Sequence, residues 1–344
     1  MARLELSRAQ ILAFRRATNH LDERLPRGAK SLRKAGWAGL QDSMPRAALL
    51  SIHARVEGAT PSSWEDPALV QLWGPRYSTY VVPKVDRALF SVGRLAGDAR
   101  RRAIGEEMAA QLHALLKGGR MADRAAGAAL GFHSNRFRYA GPTGTILIRW
   151  EGARAPLIWE VPAPKLSDED AELELARRYL HVFGPTTPES FTEWAGVSVR
   201  RGPIAFGALG RELLEVGTTI GPAWVLAKDE ALLAAGAAGA AKAKPPAPAR
   251  LLPSGDAFFL LQGAQRDLLV PEADRRAKLW TTRVWPGALL VGREIAGTWR
   301  RANANLTIEP WRRLSAAEHE AVEAEALTLP LPGPGGPIRV RWLE

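Results

Sequence analysis

Residues 171–197, AELELARRYLHVFGPTTPESFTEWAGV, and 213–226, LLEVGTTIGPAWVL, decide how this chain is read. The first thirteen residues make one helix. The turn GPTTP then launches a second, with Thr186 or Thr187 as its N-cap and Pro188 in its first turn. Gly196 ends that helix, and a further helix leads into the second stretch, which reads as strand, turn, strand. Helix, turn, helix, helix and hairpin is the order of a winged helix-turn-helix unit. The acidic run DEDAELE (168–174) lies at the start of its first helix, where carboxylates favour the dipole.

Upstream, the same order is expected twice more. In RAQILAFRRATNH (8–20), Ile11, Leu12 and Phe14 share a helical face behind Ser7, a possible N-cap. SLRKAGWAGL and PRAALLSIHARV (45–56) supply two more helices, and STYVV (78–82) a strand. Residues 100–117 read as a helix with Ile104, Met108, Leu112 and Leu115 inward, and 120–130 as a short one. RFRYA and TILIRW, joined by GPTG, read as a hairpin. Downstream, 231–250 is low-complexity Ala, Gly, Pro and Lys, expected to be a linker or loop. Beyond it, 251–313 is rich in short apolar runs with Gly or Pro breaks, 314–327 reads as a helix, and IRVRWL as a last strand. The expected class is α+β. Winged-helix units at 1–97, 98–165 and 166–230 are followed by the linker and a small β-rich domain at 251–344.

The charge is unevenly placed. Residues 1–150 hold 24 Lys/Arg against 12 Asp/Glu, a net of +12, so the remainder carries −1 of the overall +11. Arg outnumbers Lys, and Arg is the better phosphate fork. A localised basic field of this size fits a polyanionic partner, and double-stranded DNA is the natural one. Three units in tandem favour wrapping a duplex and reading its shape or a lesion over reading sequence. No run of eighteen apolar residues and no signal-peptide pattern occurs, so a cytoplasmic, monomeric protein with no membrane partner is expected. With no cysteine and six scattered histidines (20, 53, 113, 133, 181, 319), no metal site is expected. Dinucleotide, P-loop and GxSxG motifs are absent, so no cofactor is expected either.

Several stretches bring a family to view: LSRAQILAFRRATNHL, GLQDSMPRAALLSIHARV, LWGPRYSTYVVP, YLHVFGPTTPESFTEWAGV, RLLPSGDAFFLLQG, LLVGREIAGTWRR and LTIEPWRRL. Together they touch nearly the whole chain, which resembles the winged-helix family of AlkZ- and YcaQ-type DNA glycosylases. The resemblance implies a concave basic DNA cradle and excision of N-alkylated purines, some crosslinks included, without metal or cofactor. It also places the catalytic signature (Gln, an aliphatic residue, then Gln or Asp) at Gln41-Asp42-Ser43. The first Gln matches; an acid stands at the aliphatic position, and Ser at the third.

Chemically, a Gln amide oxygen can orient water, Asp42 can supply negative charge if it faces the sugar, and Ser43 can hydrogen-bond the water. Asp and Ser before a proline-led helix are equally common caps, and both roles stay open at this level. The expected DNA contacts are Arg76 beside Tyr77, Arg136, Arg138 and Arg149 on the second hairpin, Arg200 and Arg201 at the third recognition helix, and Arg300 in GTWRR. Trp299 in the same run is expected in the core. A non-catalytic DNA- or lesion-binding protein is the alternative reading.

Overall fold

The computed structural model describes residues 4–44, 46–152, 154–234, 247–331 and 337–343. Strand β1 (Leu4–Glu5) and helix α1 (Arg8–Thr18) come first. They are followed by α2 (Ala29–Ala35), β2 (Leu40–Gln41), α3 (Ala47–Arg55), β3 (Leu69–Trp73), β4 (Thr79–Pro83) and the short α4 (Arg87–Phe90). Next, α5 (Ala99–Leu116), β5 (Arg120–Ala122) and α6 (Asp123–Leu130) precede β6 (Ile146–Arg149) and β7 (Leu157–Glu160). Then α7 (Asp168–Phe183), α8 (Pro188–Ala195) and α9 (Arg201–Leu209) lead into β8 (Leu213–Thr218) and β9 (Gly221–Leu226). The C-terminal part holds β10 (Arg250–Leu252), β11 (Gly287–Val291), β12 (Glu294–Ala302), β13 (Asn305–Pro310) and β14 (Arg339–Trp342). The fold is α+β.

Among the described residues, helical segments followed by an antiparallel strand pair recur along 8–83, 99–160 and 168–226. The strands do not stay within those stretches. One sheet has the order β2-β4-β3-β6-β7-β5, and β3 joins β6 at Gln71 and Ile148, across the expected boundary at 97/98. Likewise, β1 pairs in parallel with β8, so the N-terminal strand extends the hairpin of the third stretch. The C-terminal sheet runs β10-β11-β12-β13-β14 and is antiparallel except for β14, which returns beside β13 through the helix Ala316–Leu327.

Local chemistry explains the helix starts. Ser7 and Gln10 form a capping box for α1, and Ser315 and Glu318 do so for Ala316–Leu327. Thr187 accepts a hydrogen bond from the Ser190 N–H at the start of α8, Pro188 sits in the first turn, and Gly196 takes the left-handed C-cap position. Ser167 caps α7, whose first turn carries Asp168, Glu169 and Asp170. Behind the α7–α8 turn, Tyr179, Phe183, Phe191 and Trp194 pack ring against ring, with centroids 4.8 Å apart for the first pair.

Three expectations are corrected. Residues Ser134–Thr143 form a 3-10 helix, not a strand, so RFRYA and TILIRW are not a hairpin; β6 pairs instead with β7. Phe137 and Ala140, three apart and fully buried, pack with Met108 and Leu112 of α5, and that spacing follows a 3-10 turn rather than an alternating strand. Ile104 of α5 faces outward, 43% exposed. The helix expected over SLRKAGWAGL stops at Ala35, with Gly36 as its C-cap, and Leu40–Gln41 forms β2 instead. Pro45 and most of the expected linker (235–246) lie outside the described residues.

Arginines of the basic half also build the interior. Arg15, Arg16, Arg55 and Arg94 are each no more than 1% exposed. Arg15 donates to the carbonyls of Phe183, Gly184 and Pro185, closing the end of α7, and to Gln265 Oε1. Arg55 forms a bidentate pair with Asp256, both bonds 2.7 Å.

Candidate active site and nucleic-acid face

The junction after β2 is built by strand alternation. Leu40 and Gln41 pair with Val81 and Tyr80, and the Asp42 N–H continues the ladder to the Thr79 carbonyl at 2.8 Å. Side chains therefore alternate: Leu40 and Asp42 turn inward, while Gln41 is half-buried and Ser43 exposed.

Asp42, 1% exposed, is satisfied from within. Its Oδ1 accepts the Ala48 N–H at 3.0 Å, capping α3, and its Oδ2 accepts Gln71 Nε2 at 2.7 Å. Gln71 Oε1 in turn accepts the Trp150 N–H at 2.6 Å, so one side-chain chain ties β2, β3 and the end of β6. Arg46, in the left-handed conformation, lies 3.9 Å from Asp42, stacks 3.7 Å from the Trp64 ring centre and donates to the Trp150 carbonyl. Burial pushes the Asp42 carboxyl up to about 6, partly offset by those hydrogen bonds and by the Arg46 charge. Of the two capping candidates, Asp42 caps the helix. It does not face outward.

Gln41 and Ser43 come together on the outer side. Gln41 Nε2 donates to Ser43 Oγ at 3.2 Å, and Arg76 Nη2 donates to Gln41 Oε1 at a long 3.4 Å. Gly255 closes over the amide: at φ +76°, a Cβ there would stand 3.3 Å from Gln41 Cδ. The Gly255 loop is pinned by Asp256, which bonds Arg55, Ser51 Oγ at 2.6 Å and the Phe258 N–H at 2.9 Å. Beside Ser43, Met44 and Ser254 line a cleft of about 400 Å³ with Trp285, Arg300 and Arg301. The arrangement presents a fixed amide and a hydroxyl next to an open, partly apolar cleft. Such groups can hold and orient a water without titrating themselves.

The expected DNA contacts separate into two classes. Arg136 and Arg138 are exposed on the 3-10 helix, over Phe132 and Tyr139, and Arg200 is exposed just before α9. Arg300 is exposed and donates to the Val284 carbonyl at 3.2 Å. Arg76 bonds Gln41, while Tyr77 packs edge-on against Tyr139 at 5.3 Å. Arg149 is paired with Glu65 at 3.0 Å and Glu151 at 2.7 Å, and Arg201 with the buried Glu172. These last two are committed to structural ion pairs. Trp299 is buried and donates to the Leu252 carbonyl at 2.8 Å.

Sequence reading missed Gln71, Arg46, Arg55, Gly255 and Asp256. Only SGD (254–256), a small-residue turn ending in an acid, carried a visible signal. Among the described residues, no three His, Cys, Asp or Glu side chains converge as metal ligands, and no helix is long and apolar enough to cross a membrane.

Comparison with known proteins gives three findings. A family model described as DNA glycosylase AlkZ-like matches residues 131–329. The interstrand DNA cross-link repair glycosylase of Streptomyces sahachiroi is 29% identical over 163 residues, 46% of this chain and 42% of that protein. The match thus spans less than half of that relative's length. Among solved structures, Streptomyces sahachiroi DNA glycosylase AlkZ superposes with a TM-score of 0.77 at 18% identity, covering 99% of this chain and all of that one, which shows a shared fold.

Proposed function

Because the chain belongs to the AlkZ-like DNA glycosylase family, we propose that it hydrolyses the N-glycosidic bond of N-alkylated purines in duplex DNA, bulky or crosslinked adducts included. Gln41 is the residue proposed to act on the water. An N7-alkylated purine carries positive charge, so it departs as a neutral base when the C1′–N9 bond breaks and needs no acid. Water then adds to C1′ of the oxocarbenium-like sugar, its proton goes to solvent, and an abasic site remains. Gln41 Oε1 accepts a hydrogen bond from that water, and Ser43 Oγ shares it.

The observation that carries this reading is the fixation of the Gln41 amide between Ser43, Arg76 and Gly255 beside the open cleft. The inward direction of position 42 also accounts for the residue types there. In the family pattern an aliphatic residue stands at this place, and a buried position suits it. Here an acid is accommodated by Gln71, Arg46 and the Ala48 N–H. Asp42 is thereby assigned to positioning β2 and α3.

Ser43, a poor base at the third position, favours the rival reading of a DNA-binding protein without excision, and one assay separates the two. Duplexes carrying N7-methylguanine or bulkier N7 adducts are incubated with the protein, and abasic sites are cleaved with alkali and resolved on a gel. Abasic product is expected with the wild type and roughly a hundredfold less with Gln41→Ala. Tight binding with no abasic product across the panel would establish the non-catalytic reading.

A further inference from the structure

A second cleft, of about 490 Å³, opens between α5 and the Tyr77–Tyr139 pair, within the size range of small-ligand sites. Its floor is apolar: Ile104, 43% exposed, stands above the buried Met108. Facing them are the two tyrosine rings, 5.3 Å apart and nearly perpendicular. Tyr77 is held at some cost. Arg76 and Tyr77 are consecutive non-glycine residues at φ +54° and +58°, a conformation that persists only where its surroundings impose it. The buried Arg94 guanidinium lies 4.9 Å from the Tyr77 ring centre and is itself fixed by the Ala195 and Trp73 carbonyls. At the mouth, Arg100 and Arg136 are exposed. Of the two acids present, Asp98 caps α5 and pairs with Arg101 at 3.5 Å, leaving Glu107 with Gln111 as polar groups along the wall.

We infer that this cleft receives one nucleobase unstacked from the DNA strand beside the lesion. Its flat face meets the tyrosines and the Ile104–Met108 wall. Its phosphate lies against Arg100 and Arg136, and its hydrogen-bonding edge meets Gln111 and Glu107. Aromatic faces beside a cationic rim are the chemistry that holds an unpaired base on its backbone. An apolar peptide would leave the two arginines unmatched. The cleft is tied to the candidate active site through the chain: Tyr77, which lines it, follows Arg76, and Arg76 bonds Gln41. The inference rests on the reading of the protein as a DNA binder, and it assigns a holding site separate from the atoms that hydrolyse the bond.

The test uses the whole chain carrying Gln41→Ala, whose excision is expected to be about a hundredfold slower. Duplexes contain a tetrahydrofuran abasic analogue and 5-iodouracil at one of several flanking positions. After irradiation and trypsin digestion, the crosslink is expected at one flanking position, on peptide 139–149 or peptide 77–84, and is lost with Tyr139→Ala and Tyr77→Ala together. Ile104→Glu, an exposed substitution that leaves the core intact, is expected to weaken duplex binding about tenfold. Crosslinks confined to other peptides, or unchanged affinity and crosslinking with Ile104→Glu, would overturn the holding site while leaving the excision reading untouched. Absence of any DNA binding would overturn both. Conversely, crosslinking at these peptides without abasic product in the gel assay would retain the site and remove the enzyme.

Discussion

Asp42 and Ser43 are adjacent, yet one is interior scaffold and the other surface. The difference has measurable consequences. Asp42→Ala removes the acceptor of the Ala48 N–H and of Gln71 Nε2 together, and is expected to cost about 2–4 kcal/mol in chemical denaturation. Ser43→Ala, at the surface, is expected to change stability by less than about 0.5 kcal/mol. The pH dependence follows from the raised Asp42 carboxyl. The unfolded chain releases that proton near 3.8 and the folded protein near 6, so between these values the folded state binds more protons. This contribution to stability is present below about pH 4 and is lost as pH rises through about 6, on the order of 2–3 kcal/mol in all. Asp42→Asn is expected to flatten that part of the stability–pH curve; an unchanged slope would mean that Asp42 does not titrate this way. The proposed role of Gln41 comes from the resemblance of its neighbours to a known pattern. The inward turn of Asp42 was not legible in the sequence, because only the ladder to Thr79 fixes which side chain of an extended pair faces out.

Elements with local signals were the ones read correctly. The α7–α8 region announced itself through the acidic start at Asp168, Glu169 and Asp170 and through Thr187, Pro188 and Gly196, each acting within a few residues. The Ser134–Thr143 helix was misread because its alternation of arginine and aromatic residues fits a strand as well as a 3-10 turn, and its packing on α5 decided the matter. At the start of α9, two adjacent arginines have different fates. Arg201→Ala leaves Glu172, 2% exposed, without its partner and is expected to destabilise by about 3–5 kcal/mol. Arg200→Ala is expected to leave stability within about 0.5 kcal/mol and to lower DNA affinity instead. Equal stability losses for both would refute this division. Gly196 links the third helical stretch to the site: a Cβ at its left-handed backbone would stand 2.9 Å from Arg76 Cα. Gly196→Ala is therefore expected to displace the Arg76–Tyr77 turn and reduce excision, with the far side of the molecule unaffected.

At the scale of the whole molecule, the basic half serves two ends. Some arginines knit the interior, as Arg15, Arg16, Arg55 and Arg94 do, while Arg136 and Arg138 stay on the surface. DNA affinity is expected to fall steeply with salt. Replacing Arg136 and Arg138 together by Ala is expected to reduce the slope of log K against log salt by about 2. Arg149→Ala, whose guanidinium is already paired with Glu65 and Glu151, is expected to leave the slope unchanged. The sequence by itself determined the α+β class, the helix–helix–helix–hairpin order of 168–226 and the concentration of positive charge, because caps, turns and composition act over short stretches of chain. Only the tertiary structure decided which arginines remain available to a polyanion, that Asp42 is a buried cap, that β3 and β6 merge two hairpins into one sheet, and that Gly255, beside Asp256, packs over Gln41. Those outcomes depend on contacts between residues far apart in sequence, such as the 201 positions separating Arg55 from Asp256, and no local pattern encodes such a pairing.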